Sequence, residues 1–140
     1  MYSLKTEHSF DSAHFLKGYE GKCSNIHGHR WRVIIEVWRE DVDKEGQTRG
    51  MIVDFGTLKK QVRAEADYFD HSLIIEKDSL SQKTLEALKE ESFKIIEVGF
   101  RPTAENFAKY FYDRFEEAGY NVKEAVVYET PNNCASYSEV

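Results

Sequence analysis

The run HGHRWRVIIEVWRE, at positions 27–40, constrains the fold more than any other stretch of the chain. Trp31, Val33, Ile35 and Val37 fall on one side at every second position, while Ile34 and Trp38 enrich the other. A period of two, carried by β-branched and aromatic side chains, predicts a long strand whose two faces are both suited to burial. Residues 2–10 repeat the pattern, with Tyr2, Leu4, Thr6, His8 and Phe10 alternating against Ser3, Lys5, Glu7 and Ser9. A second strand is expected there.

The period then changes. Leu58, Val62, Ala66 and Phe69 recur at helical spacing behind Asp54, a good N-cap, so a helix is expected from Asp54 to about Phe69. Thr103 caps a second segment striped by Phe107, Tyr110, Phe111 and Phe115, with Gly119 just past its end. Residues 122–129 return to strand character, and the tail after Pro131-Asn132-Asn133 can add a short final strand. Between the two main helices, SLSQKTLEALKEESFKII carries Leu80, Leu85, Leu88 and Ile95 at spacings that suggest an extra, partly exposed helix.

At 140 residues the chain reads as one domain, 1–140, burying roughly 68–70% of its unfolded surface. Its 41% apolar and 31% charged residues are those of an ordinary folded protein. A net charge of −6, spread along the chain, supplies no basic field for nucleic acid. Neither MYSLKTEHSF at the start nor runs such as Val33-Ile34-Ile35 match a signal peptide or a membrane span, so no membrane role is expected and the protein reads as cytoplasmic. Cys23 and Cys134 are read as separate thiols.

Chemistry concentrates in the histidines. In an extended chain His27 and His29 project to one face, Gly28 allows close approach, and His14, ending Phe10-Asp11-Ser12-Ala13-His14, can join them from a neighbouring strand. Three imidazoles with a vacant fourth position describe a catalytic zinc site rather than a structural one. Cys23, four residues before His27, is either a fourth ligand or a reactive thiol whose basicity the site tunes. Asp70-His71 is either an oriented proton carrier or a histidine placed at a helix C-terminus for its dipole. Glu129 interrupts an apolar strand and can clamp an amino-pyrimidine edge, or simply face water. Glu105 has an ordinary explanation as an acid in a first helical turn.

In order, FDSAH, CSNIHGH, VDFGTLK, FDH, PTAEN and YET resemble the 6-pyruvoyltetrahydropterin synthase and 6-carboxytetrahydropterin synthase family, leaving mainly residues 76–100 uncovered. The resemblance implies an α+β tunnelling fold: a four-stranded antiparallel sheet with two main helices on one face, here with an inserted helix. It implies trimers paired into homohexamers, with active sites between subunits. Carried over motif by motif, His14, His27 and His29 would bind Zn2+, and Cys23 would accept a proton. Asp70 and His71 would complete the relay, and Glu129 would anchor a pterin ring, with Thr103 and Glu105 near the same pocket. Three residues between Cys23 and His27 resemble the bacterial 6-carboxytetrahydropterin synthases of queuosine precursor synthesis. The implied activity is a zinc-dependent lyase converting 7,8-dihydroneopterin triphosphate to 6-carboxytetrahydropterin, acetaldehyde and triphosphate. YETPNN resembles the animal-type tail equally, which keeps a 6-pyruvoyltetrahydropterin synthase as the nearest alternative and a non-catalytic pterin- or metal-binding homologue behind it.

Overall fold

In the computed structural model, which describes residues 1–139, both predicted long strands form and pair over their whole length. β1 (Tyr2–His14) and β2 (His27–Arg39) run antiparallel, from Tyr2 opposite Arg39 to His14 opposite His27. β1 continues four residues past the expected end at Phe10. α1 (Phe55–Asp67) follows, then β3 (Ser72–Glu76), α2 (Gln82–Glu90), β4 (Ile95–Val98), α3 (Ala104–Glu117), β5 (Val122–Thr130) and β6 (Asn133–Tyr137).

The expected sheet of four antiparallel strands needs correction. Six strands lie in the order β4-β3-β1-β2-β5-β6, and β3 pairs parallel with both β1 and β4. Of the two additions, β4 begins inside the segment read only as a helix, and β3 lies just before that segment, where no element was expected. Its helix exists as α2, capped by Ser81 Oγ, which accepts from the Thr84 amide at 3.2 Å. Ile95, however, belongs to β4 rather than to the helical stripe. Strands of five and four residues are too short to show a period, and Leu73-Ile74-Ile75 and Ile95-Ile96 are apolar on both sides, as buried parallel strands are.

α1 and α3 pack on one face of the sheet, as expected. Leu58, Val62 and Ala66 of α1 and Phe107, Phe111 and Phe115 of α3 meet Phe10, Trp31, Val33, Ile35, Ala125 and Val127 there, all buried. α2 covers the opposite face, where Leu85 packs with Phe15 and Ile75. The caps follow the predicted chemistry. Asp54 accepts from the Thr57 amide at 3.0 Å, and Thr103 Oγ1 accepts from that of Asn106 at 3.2 Å. α3 ends as its glycine requires: Gly119 adopts φ 95° and donates to Glu116 at 2.9 Å, while Tyr120 donates to Phe115 at 3.1 Å and sets its ring, tilted by 46°, 6.0 Å from that of Phe115. None of the described helices is long and apolar enough to cross a membrane.

Residues opposite one another in an antiparallel pair share a face. Phe10 opposite Trp31, Ser12 opposite His29 and His14 opposite His27 therefore form one row beneath α3. The aromatic core gives way to imidazoles along the same two strands.

Candidate metal centre and active site

His14, His27 and His29 close into a triangle with ring centroids 4.6, 4.9 and 5.1 Å apart. Trp31 forms its floor, edge-on to His14 at 5.0 Å and to His29 at 5.5 Å. His14 is 1% exposed. Its Nδ1 donates to the carbonyl of Pro102 at 2.7 Å, and His27 Nδ1 donates to that of Asn25 at 2.7 Å. A carbonyl accepts only from a protonated nitrogen, so both neutral rings carry their proton on Nδ1 and leave Nε2 bare. Those two Nε2 atoms face each other at 3.1 Å. Two lone pairs so placed repel unless a cation lies between them.

His29 Nε2 is buried without a hydrogen-bond partner, although Glu129 Oε1 lies 3.1 Å away, out of line for a hydrogen bond. The ligand atoms of His14, His27, His29 and Glu129 all lie within 4.8 Å of one another. This set could hold a metal ion. The carbonyls of Pro102 and Asn25, which the sequence did not single out, orient two of its ligands from behind.

Burial pushes the His14 imidazole down to about 4 against the opposing Pro102 hydrogen bond, and burial likewise lowers His29 despite the nearby Glu129 carboxylate. Both rings stay neutral near pH 7, as ligation requires. An unfolded His14 takes up its proton near the ordinary value of 6.5, whereas the folded one resists until about 4. The metal-free protein is therefore expected to lose up to about 3 kcal/mol from this residue as pH falls from 6.5 to 4, a loss that begins above the range where carboxylates contribute. Urea unfolding at pH 7 and pH 5.5, where carboxylates are still largely ionised, measures the first part of this loss; equal midpoints would refute it.

The other sequence-derived residues lie apart from this triangle. Cys23 sits partly buried in a single 3-10 turn, Lys22–Ser24, whose Cys23 carbonyl accepts from the Leu16 amide at 2.8 Å. Its sulfur offers no atom to the cluster. Asp70 and His71 form a pair: His71 Nδ1 bonds Asp70 Oδ2 at 2.7 Å, and Asp70 Oδ1 accepts from the Asp11 amide at 2.8 Å. That amide, with the His71 hydrogen bond, holds the Asp70 carboxyl below its ordinary range. His71 has φ 56° and donates its own amide to Asp11 at 2.7 Å, so the backbone is fixed while the ring stays exposed. The ring lines a cavity of about 290 Å3 with Ala13, Ile26, Phe93 and Lys94.

Glu129 and Glu105 line another cavity, of about 320 Å3, with Ala104, Asn133, Cys134 and Ala135. Thr103 spends its hydroxyl on the α3 cap. Arg30 and Arg32, the next basic residues along β2, alternate away from the imidazoles and pair with Asp11 at 2.9 Å and Glu7 at 3.0 Å.

The model of the 6-pyruvoyl tetrahydropterin synthase family matches residues 3–140. The chain belongs to this family. Within it, a curated relative from Haemophilus influenzae named 6-carboxy-5,6,7,8-tetrahydropterin synthase is 32% identical, over 99% of this chain and all of the relative. An Aquifex aeolicus protein of the same name is 34% identical, over 84% of this chain and 76% of its own length. Among solved structures, the Caenorhabditis elegans 6-pyruvoyl tetrahydropterin synthase superposes with a TM-score of 0.68 at 25% identity, covering 99% of this chain and 96% of that one. This member of the family thus presents a cluster that could hold a metal, a separate acid–imidazole pair, and a carboxylate-lined cavity beside the cluster.

Proposed function

We propose that this protein is a 6-carboxy-5,6,7,8-tetrahydropterin synthase, converting 7,8-dihydroneopterin triphosphate to 6-carboxytetrahydropterin, acetaldehyde and triphosphate in queuosine precursor synthesis. The observation that carries the reading is the end-to-end match to a relative of that name, together with three imidazoles whose ligand atoms converge. His14, His27 and His29 would hold Zn2+, which supplies Lewis acidity to oxygens of the substrate side chain. The Glu129 carboxylate would accept two hydrogen bonds from the pterin's amino-pyrimidine edge, fixing the ring in the cavity it shares with Glu105 near Thr103. Cys23 would take a proton from the side chain. Asp70 would orient His71 to deliver and remove protons as triphosphate leaves and the carbon–carbon bond breaks.

Within one chain, neither Cys23 nor His71 contributes an atom to the imidazole cluster. A homohexamer built from paired trimers, with sites between subunits, would let the acid–imidazole pair of one subunit serve the thiol of another. The sheet ends in β4 and β6, strands available for pairing between chains.

The deciding experiment incubates zinc-loaded protein with 7,8-dihydroneopterin triphosphate, identifies pterins by mass spectrometry and assays acetaldehyde. 6-Carboxytetrahydropterin with acetaldehyde is expected. 6-Pyruvoyltetrahydropterin without acetaldehyde would assign the biopterin-type activity instead, and unchanged substrate would leave a binding protein.

A further inference from the structure

Glu129 stands between two sites. Its Oε1 lies 3.1 Å from His29 Nε2, a carboxylate oxygen lies within 4.8 Å of a ring nitrogen of each of the other two imidazoles, and the same side chain lines the 320 Å3 cavity with Glu105, Asn133 and Cys134. No hydrogen bond fixes the carboxylate to any described residue: its approach to His29 is off the line a hydrogen bond needs, and His29 Nε2 remains unpaired. A carboxylate whose oxygen lies within 4.8 Å of the ligand atoms of three imidazoles, and is hydrogen-bonded to none of them, is placed as a ligand would be.

We propose that Glu129 is the fourth protein ligand of the metal while the cavity is empty, and that a pterin edge entering the cavity takes the carboxylate over, opening the coordination position. This rests on the pterin reading above and adds to it a coupling between ring binding and metal geometry. The physical basis is competition for one pair of oxygens. A dication among three neutral imidazoles attracts the anion strongly, and four protein ligands form a closed site. An amidine-like N–H pair offers the same carboxylate two parallel, charge-assisted hydrogen bonds. Because one group cannot serve both fully, ring and metal each weaken the other's binding by the same factor. The fourth position is then exposed only once the substrate ring is seated beside it, which keeps the reactive position closed to solvent between turnovers.

Cobalt(II) in place of zinc gives a visible spectrum that reports coordination number without reference to turnover, and unsubstituted pterin, which has no side chain to reach the metal, isolates the effect of the ring. Three results are expected. Glu129→Gln changes the cobalt spectrum in the absence of pterin and lowers metal affinity at least about tenfold. Pterin shifts the wild-type spectrum and binds the metal-free protein more tightly than the loaded one. Glu129→Asp, which retains a carboxylate, restores part of the wild-type spectrum, while Glu105→Gln, in the same cavity but outside the cluster, leaves it unaltered. A spectrum identical in wild type and Glu129→Gln would overturn the proposal. So would pterin that binds, by fluorescence quenching, without moving the wild-type bands. Pterin binding to neither form would overturn the handover through failure of the pterin reading, and is distinguished by the absent quenching.

Discussion

Replacing His27 with alanine should strip the protein of its metal and abolish product formation while leaving the fold intact. His27 is only half-buried, at the very start of β2, and its contacts are His14 Nε2 at 3.1 Å and the Asn25 carbonyl at 2.7 Å. Removing it deletes one of three imidazoles and leaves a site open on one side. Metal affinity should fall at least about a hundredfold, more than the loss typical for an outer partner of a ligand, and turnover by at least about a thousandfold. Metal content after gel filtration, measured beside turnover and a thermal melt of the metal-free protein, tests all three parts. The imidazole-triangle assignment fails if the variant retains stoichiometric zinc. A metal-free melt unchanged from wild type is expected, because the His14–His27 contact stabilises nothing until a cation joins the two lone pairs.

Cys23→Ala should do the reverse. The thiol lies outside the cluster, so the variant should keep its zinc while turnover falls by about two to four orders of magnitude, the range for removing a positioned acid–base group. Loss of metal from this variant would make Cys23 a ligand instead. Mixing then tests where the relay residues meet. If His71 of one subunit serves Cys23 of another, inactive Cys23→Ala and His71→Ala proteins should recover part of the activity when dissociated and reassembled together. No recovery would place thiol and imidazole in the same chain.

The strands that build the triangle were legible because their signal is long. Trp31, Val33, Ile35 and Val37 give a period of two over enough residues to set the face, and His27 and His29 share it by spacing alone. Asp54, Thr103 and Gly119 mark helix ends through local hydrogen bonds and backbone conformation, which need no distant partner. The inserted unit was harder to read. Leu73-Ile74-Ile75 and Ile95-Ile96 are apolar whichever element holds them, and the spacing of Leu88 and Ile95 suits a helix until Ser92, at φ 67°, turns the chain out of it. Periodicity also gives no strand order, so the parallel pairing of β3 with β1 and the placement of α2 on the opposite face had no signature.

The sequence by itself determined that His27 and His29 share one face, that the chain resembles a pterin synthase, and that Glu129 is out of place in an apolar strand. Those properties depend on neighbours within a few residues, or on motifs in order. Tertiary structure alone decided that the Pro102 carbonyl, 88 residues from His14, fixes its tautomer, and that the pairing of β5 with β2 brings Glu129 to 3.1 Å from His29. It also separated His71 from the imidazoles by placing it at the Asp11 backbone. Each of these depends on which strands lie side by side and in what register, a consequence of how α1 and α3 bury one aromatic face together, and no local pattern in the chain encodes it.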